Sequence, residues 1–194
     1  MKEKVETLDI TGKQCSLIFD EIKIRKDLKY NSIRDCIDGY VDLGKDDFRE
    51  GKIGSYICVF MVRGIVGNWK NILSYYVSEN AISSTSLTNL IESNLKLCSS
   101  LNLFVRAVIC DQGSNNRKAL NNMGATMTNP IINSCSSNQI VGIFDPPHLF
   151  KSFRRYCLLT SDIETSDGVA IWEVLREFFK QEQSSTTRMC PTCL

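Results

Sequence analysis

Residues 103–124 read LFVRAVICDQGSNNRKALNNMG, and three physical signals follow one another in them. The run LFVRAVIC is almost continuously apolar, the kind of strand that is buried in a mixed sheet. Asp111-Gln112-Gly113 ends that run, because Asp and Gly favour turns. From Ser114 the chain takes helical spacing as far as Met123, with Ser114 available as a cap and Gly124 as the terminator. A buried strand, a tight turn and a short helix in succession are the repeating step of an α/β fold.

Upstream, residues 84–101 carry a helical stripe of Leu87, Leu90, Ile91, Leu95, Cys98 and Leu101, with serines and Thr85 available as caps. Before that helix the period is two. In CSLIFDEIKI, residues 15–24, Leu17, Phe19 and Glu21 alternate with Ile18, Asp20 and Ile22. Residues 25–36 read as a polar turn, followed by a short strand at 39–43, a third at 55–63 and a fourth β segment at 69–77. Short polar connections between consecutive strands predict an antiparallel meander. Downstream, residues 140–144 predict one more strand, which Asp145-Pro146-Pro147 must stop. Helical stretches over 148–159 and 169–183 finish the chain. The expected class is therefore α/β. The order matches an RNase H-like mixed sheet, an antiparallel meander followed by α/β alternation and flanked by helices. Several α/β folds share that order.

Composition narrows the function classes. In 194 residues, 43% apolar and 23% charged, there is room for one packed domain or one domain and part of another. A net charge of +1 neither demands nor forbids nucleic acid, since a local basic strip can bind phosphates on a neutral protein. Residues 1–14 are charged and lack the apolar run of a signal peptide. The most apolar stretch, 53–67, contains Arg63 and is shorter than the about 20 residues needed to span a bilayer, so no membrane partner is expected. Nine scattered cysteines make a poor disulfide framework. Cys15, Cys58 and Cys110 sit in apolar runs as small hydrophobes, and a reducing compartment is expected.

A few acidic and basic positions carry the candidate chemistry, together with the single histidine. Asp20 lies mid-strand on the face of Ile18 and Ile22, where a buried carboxylate would need a metal ion or hydrogen-bond donors. A partly exposed strand face with Asp20 solvated explains it equally well. Asp111 stands at the carboxyl end of a buried strand, where open α/β sheets place ligand-binding groups. Turn and helix-capping aspartates are also common there. If the two strands are neighbours, the carboxylates approach each other and repel unless a hard cation bridges them. That arrangement serves two-metal phosphoryl transfer, with ions roughly 3.5–4 Å apart. Asp145 can add a ligand, or simply hold the turn's backbone amides, and His148 can reach a phosphate or merely open the next helix. Lys151, Arg154 and Arg155, interleaved with Phe150, Phe153 and Tyr156, make either a DNA-backbone strip or an ordinary basic helix face. Cys190-Pro-Thr-Cys193 is a lone CxxC without the four ligands of a zinc site.

Five segments together resemble the P-element transposase family, including its THAP-domain relatives. They are LIFDEIKIRKDLKYN around Asp20, GYVDLG at 39–44, Trp69-Lys70, CDQGSNN at 110–116 and FDPPHLFKSFRR at 144–155. They occur in the family's order and span about residues 15–183. The resemblance implies an RNase H-like catalytic domain that cuts and joins DNA with Mg²⁺ or Mn²⁺, in the nucleus, with homo-oligomers in the full-length family. By position Asp20 matches the first catalytic aspartate and Asp111 the second. It also implies a third acid, a glutamate, beyond an inserted helical domain that binds GTP. The expected organisation is a lead-in at 1–14, the first part of the core at 15–160, and the truncated start of the insertion at 161–194. Glu164, Glu173, Glu177 and Glu182 do not match the third acid and read as a solvated face. The resemblance thus implies a transposase core fragment with little activity by itself. Two rivals stand beside it. One is a domesticated or degenerate DNA- or protein-binding module, nuclear or, as a relic, cytoplasmic. The other is a different RNase H-like nuclease that finds its third acid within these residues.

Overall fold

A computed structural model describes residues 5–44, 50–133, 139–160, 162–166 and 168–184. The alternating run forms β1 (Gln14–Lys23). A hairpin of β2 (Lys29–Asn31) and β3 (Cys36–Asp38) follows, then a small ladder of β4 (Tyr40–Val41) and β5 (Glu50–Ile53). Two long strands come next, β6 (Tyr56–Gly64) and β7 (Lys70–Ser78). The chain then alternates through α1 (Ser84–Ser100), β8 (Phe104–Cys110), α2 (Ser114–Asn122), β9 (Ile131–Ile132) and β10 (Ile140–Phe144). These build one six-stranded sheet in the order β7-β6-β1-β8-β10-β9. β1 pairs antiparallel with β6 and parallel with β8, and β8 pairs parallel with β10. The sheet is mixed and α/β, as expected from the sequence.

Period-two alternation sorts the side chains of β1. Cys15, Leu17 and Phe19 are buried, and Phe19 stacks on Phe60 at 5.1 Å while Phe60 meets Tyr76 edge-on at 5.7 Å. α1 covers this face with Leu87, Leu90, Ile91, Leu95 and Cys98. α2 lies on the same face, since a Cβ on Gly142 would meet Leu120, Ile132 and Ala125. The opposite face is a cross-strand row of Ile72, Met61, Ile18, Ile109 and Ile143, each in register with the next. That row is open at its margins, with Ile72 63% and Ile143 39% exposed. Asp20 belongs to this open face.

The segment 25–36 is more than a polar turn. Tyr30 donates its hydroxyl to Asp35 and Asn31 donates to Asp38, so side chains knit β2 to β3 across the turn. The strand expected at 39–43 is not part of the main meander. It pairs as β4 with β5, and Asp42 bridges Val77 at the edge of β7. The long-range bridge of Asp42 to Val77 is of a kind that no local pattern encodes. Ser114 is the first helical residue of α2 rather than its cap, and Gly113 occupies the cap position.

The chain divides into two compact units, 1–145 and 146–194. The second contains α3 (Pro146–Thr160), β11 (Asp162–Thr165), β12 (Gly168–Ile171) and α4 (Trp172–Ser184). α3 starts on Pro146, a residue whose fixed φ suits the first helical position. The helix expected over 169–183 begins only at Trp172, because β-branched Val169 and Ile171 extend and pair with 162–164. Among the described residues no helix is long and apolar enough to cross a membrane.

Candidate functional site

The parallel register Ile18↔Ile109, continued by two residues, brings Asp20 level with Asp111 on the neighbouring strand. Ile18 and Ile109 share the open face, and the alternation directs Asp20 to that side as well, whereas Asp111 stands one residue past the end of β8, at the turn into α2. The next strand adds a third acid. Cys110 pairs with Phe144, and the Asp145 amide donates to the Cys110 carbonyl at 2.8 Å. Asp20, Asp111 and Asp145 therefore stand at one level across three adjacent parallel strands, just past the carboxyl ends of β8 and β10. Open α/β sheets bind ligands at that position.

Each carboxylate has a distinct setting. Asp20 is exposed, and its Oδ1 accepts the Glu21 amide at 2.8 Å, so the strand face is open and burial imposes no demand for a partner. Asp111 is half-buried. Its Oδ1 accepts the Gly113 amide at 2.8 Å and the Asn116 side-chain amide, which clamps the carboxylate across the turn into α2. Both bonds fall on Oδ1. The turn role and a ligand role are thus compatible in one side chain. The Cys110 thiol is pushed up to about 12, first by burial and then by the charges of Asp111 and Asp20.

Glu21 is a further member of the site, and the candidate residues read from the sequence do not include it. It continues the inward series Cys15, Leu17, Phe19, and an acid at such a position is the signal that could have marked it. Its Oε1 accepts the Ile82 amide at 2.9 Å. Burial raises its carboxyl above the ordinary range, the Ile82 amide opposes this, and Asp111 and Asp20 add to it. Asn115 in turn donates to the Ile82 carbonyl at 2.9 Å. A chain of bonds therefore runs from the residue after Asp20 to the residue before the clamp on Asp111.

Among the described residues no three His, Cys, Asp or Glu side chains are grouped to hold a metal ion. Asp145 stands level with the pair without completing a three-ligand centre. His148 lies in the first turn of α3, in the second unit. Lys151, Arg154 and Arg155 are exposed on α3, and so are Phe150, Phe153 and Tyr156. The aromatic side chains are thus as open as the cations between them. Glu164, Glu173 and Glu177 are exposed, and Glu173 pairs with Arg176 at 3.3 Å. Cys190 and Cys193 lie outside the described residues.

Residues 1–124 match the family described as TNP-like, RNase H N-terminal domain. The chain belongs to that family. Human DNA transposase THAP9 is 27% identical to this TNP-like chain over 200 residues, which cover 97% of the chain and 22% of the human protein. The Drosophila P element transposase strand transfer complex has the same fold, with a TM-score of 0.70 at 19% identity. That likeness takes in 97% of this chain and 40% of the Drosophila chain. The TNP-like chain thus spans about a fifth of its human relative and is related to P-element-type transposases.

Proposed function

We propose that the chain is part of a DNA strand-cleaving and strand-transferring core that works with Mg²⁺ or Mn²⁺. The observation that carries this reading is the level placement of Asp20 and Asp111 on adjacent parallel strands. Their donor set fits the ion: both offer hard carboxylate oxygens, and Mg²⁺ commonly binds through one or two carboxylates and keeps several waters. Asp20 and Asp111 would hold it, with Asp145 reaching it through water. When bound, such an ion stabilises charge on phosphate oxygens and lowers the pKa of attacking water. The chain's own part is orientation. Gly113 and Asn116 fix Oδ1 of Asp111, and the open face around Asp20 leaves room for a phosphodiester.

DNA is the proposed partner and the nucleus the proposed location. Lys151, Arg154 and Arg155 are assigned to phosphate contacts, and His148 to an auxiliary role near the substrate. The Drosophila protein's description as a strand transfer complex supports DNA as the substrate. A second reading, a DNA-binding module without catalysis, draws on the lack of a three-ligand group among the described residues.

Electron paramagnetic resonance of Mn²⁺ and a nicking assay on supercoiled DNA test the proposal together. The chain should bind Mn²⁺ weakly, and Asp20→Ala or Asp111→Ala should each abolish that binding. Nicking should be slight, because two carboxylates hold two ions less firmly than three. Unchanged Mn²⁺ binding in both variants would refute the site. Robust nicking lost in both would show that the pair suffices, and nicking retained in both would mark a contaminant.

A further inference from the structure

The stretch between Ile22 and Asp35 holds Lys23, Arg25, Lys26, Lys29 and Arg34 against the single acid Asp27. This basic run leaves the sheet soon after Asp20, from the last residue of β1 through the β2–β3 hairpin. All five cations are exposed. Lys26 reaches Glu79 at 4.0 Å, which leaves Lys23, Arg25, Lys29 and Arg34 as the main positive surface. Acids on the hairpin itself are engaged, Asp35 by the Tyr30 hydroxyl at 2.6 Å and Asp38 by the Asn31 amide at 2.8 Å.

The hairpin has a defined tip and a defined place. Asn31 Oδ1 accepts both the Ile33 amide at 3.1 Å and the Arg34 amide at 3.2 Å, so the turn is held by its own side chain. Ile33 stands at that tip 95% exposed, among the most exposed large apolar side chains described. Arg34 and Tyr75 line one cavity. Tyr75 pairs with Val59, and Val59 with Asp20, so Tyr75 lies in the same cross-sheet row as the acid. Two strand spacings separate them, about 10 Å. The hairpin therefore borders the open face onto which Asp20 projects.

We infer that the β2–β3 hairpin is a contact for duplex DNA, with Lys23, Arg25 and Lys29 on the phosphate backbone and Ile33 entering a groove. Resting on the reading of Asp20 and Asp111 as a DNA-processing pair, it deepens that reading by assigning the surface that seats the duplex beside them. The chemistry is specific to this shape. A two-stranded ribbon is narrow enough for a groove of B-form DNA, and apolar tips such as Ile wedge between base steps in groove-binding proteins. Exposed cations on the approach neutralise phosphates and release counterions.

The test measures binding of the 194-residue chain to a fluorescent DNA duplex across a salt series. The variant Lys23→Gln/Arg25→Gln/Lys29→Gln should weaken binding at least about tenfold and flatten the slope of log K against log salt by about 0.9 for each phosphate that is no longer neutralised. Ile33→Asn should weaken binding about tenfold with the slope unchanged, since an apolar side chain releases no counterions. Both variants should keep the wild-type Mn²⁺ signal, whereas Asp20→Ala should lose that signal and keep the salt slope. Failure of the metal site and failure of the hairpin are thus read on different instruments. Wild-type affinity and slope in both hairpin variants would overturn the inference, as would a wild-type chain that does not bind the duplex. Tighter binding of single-stranded DNA or duplex RNA through the same residues would assign the hairpin to another partner and equally overturn it.

Discussion

Asn94 is 1% exposed in α1, and its amide group closes a polar knot inside an apolar layer. It donates to the Leu90 carbonyl at 2.8 Å and the Tyr76 hydroxyl at 3.1 Å, and accepts from Ser74 at 2.6 Å. Truncating it leaves the Ser74 and Tyr76 hydroxyls without this partner. Asn94→Ala should therefore cost about 1–3 kcal/mol, read as a lower urea midpoint. The thiols test burial in another way. Cys15, Cys58, Cys98 and Cys110 are each pushed from 9.0 up to about 12, with burial the leading cause. A folded-state pKa raised above the unfolded one contributes stability that is complete below pH 9 and is lost as pH rises through 12. The denaturation midpoint should accordingly fall between about pH 9 and 11. At pH 8, peptide mapping after iodoacetamide should find half-buried Cys36 modified before those four. Early labelling of any of them would contradict the packing around β1 and α1.

At the scale of elements, the turn between β6 and β7 depends on one missing side chain. A Cβ on Gly64 would run into the indole of Trp69, whose Nε1 donates to the Gly12 carbonyl at 3.0 Å. Trp69 thus ties the β6–β7 connection to the residues leading into β1. Gly64→Ala must displace the ring or the strand, and should destabilise by about 1–3 kcal/mol, read in the thermal midpoint. Trp69 fluorescence should shift with it, because the indole would leave its carbonyl. An unshifted spectrum with unchanged stability would show that the ring does not hold the turn. The edge of β7 has a similar logic. Asp42 and Val77 exchange both backbone bonds, at 2.8 and 2.9 Å, so the GYVDLG segment caps an otherwise open edge.

For the whole molecule, the division at residue 145 has a thermodynamic consequence. Every fully buried large side chain among the described residues belongs to the first unit, from Cys15 to Ile140. A chain ending at Asp145 should therefore still unfold cooperatively, with a thermal midpoint within a few degrees of the full chain. Calorimetry on the two proteins decides the point. Loss of the cooperative transition in the shortened chain would mean that 146–194 contributes to the core. The second unit instead exposes Phe150, Phe153, Tyr156, Val174, Phe178 and Phe179. Its helices keep these apolar side chains in solvent, unlike α1, whose stripe is buried.

Elements whose pattern is local and strong can be read directly from the order of residues. β1, β6, α1, β8, α2 and β10 follow from periods of two and 3.6 and from Asp, Gly and Pro punctuation, because backbone geometry converts those periods directly into faces. Asp20 and Asp111 were legible as candidates for the same reason, each being an acid set into an apolar strand or at its end. Which strands are neighbours emerges only from the folded sheet. The parallel pairing of β1 with β8 brings Asp20 level with Asp111 although six strands and a helix of the chain intervene between β1 and β8, and no local signal encodes such a pairing. The clamp of Gly113 and Asn116 on Asp111 is local by contrast, two and five residues along the chain, and the turn role it gives Asp111 was among the readings open to the sequence. The β2–β3 hairpin was not legible as strands, because each is three residues long and the two are joined by side-chain bonds rather than by apolar alternation.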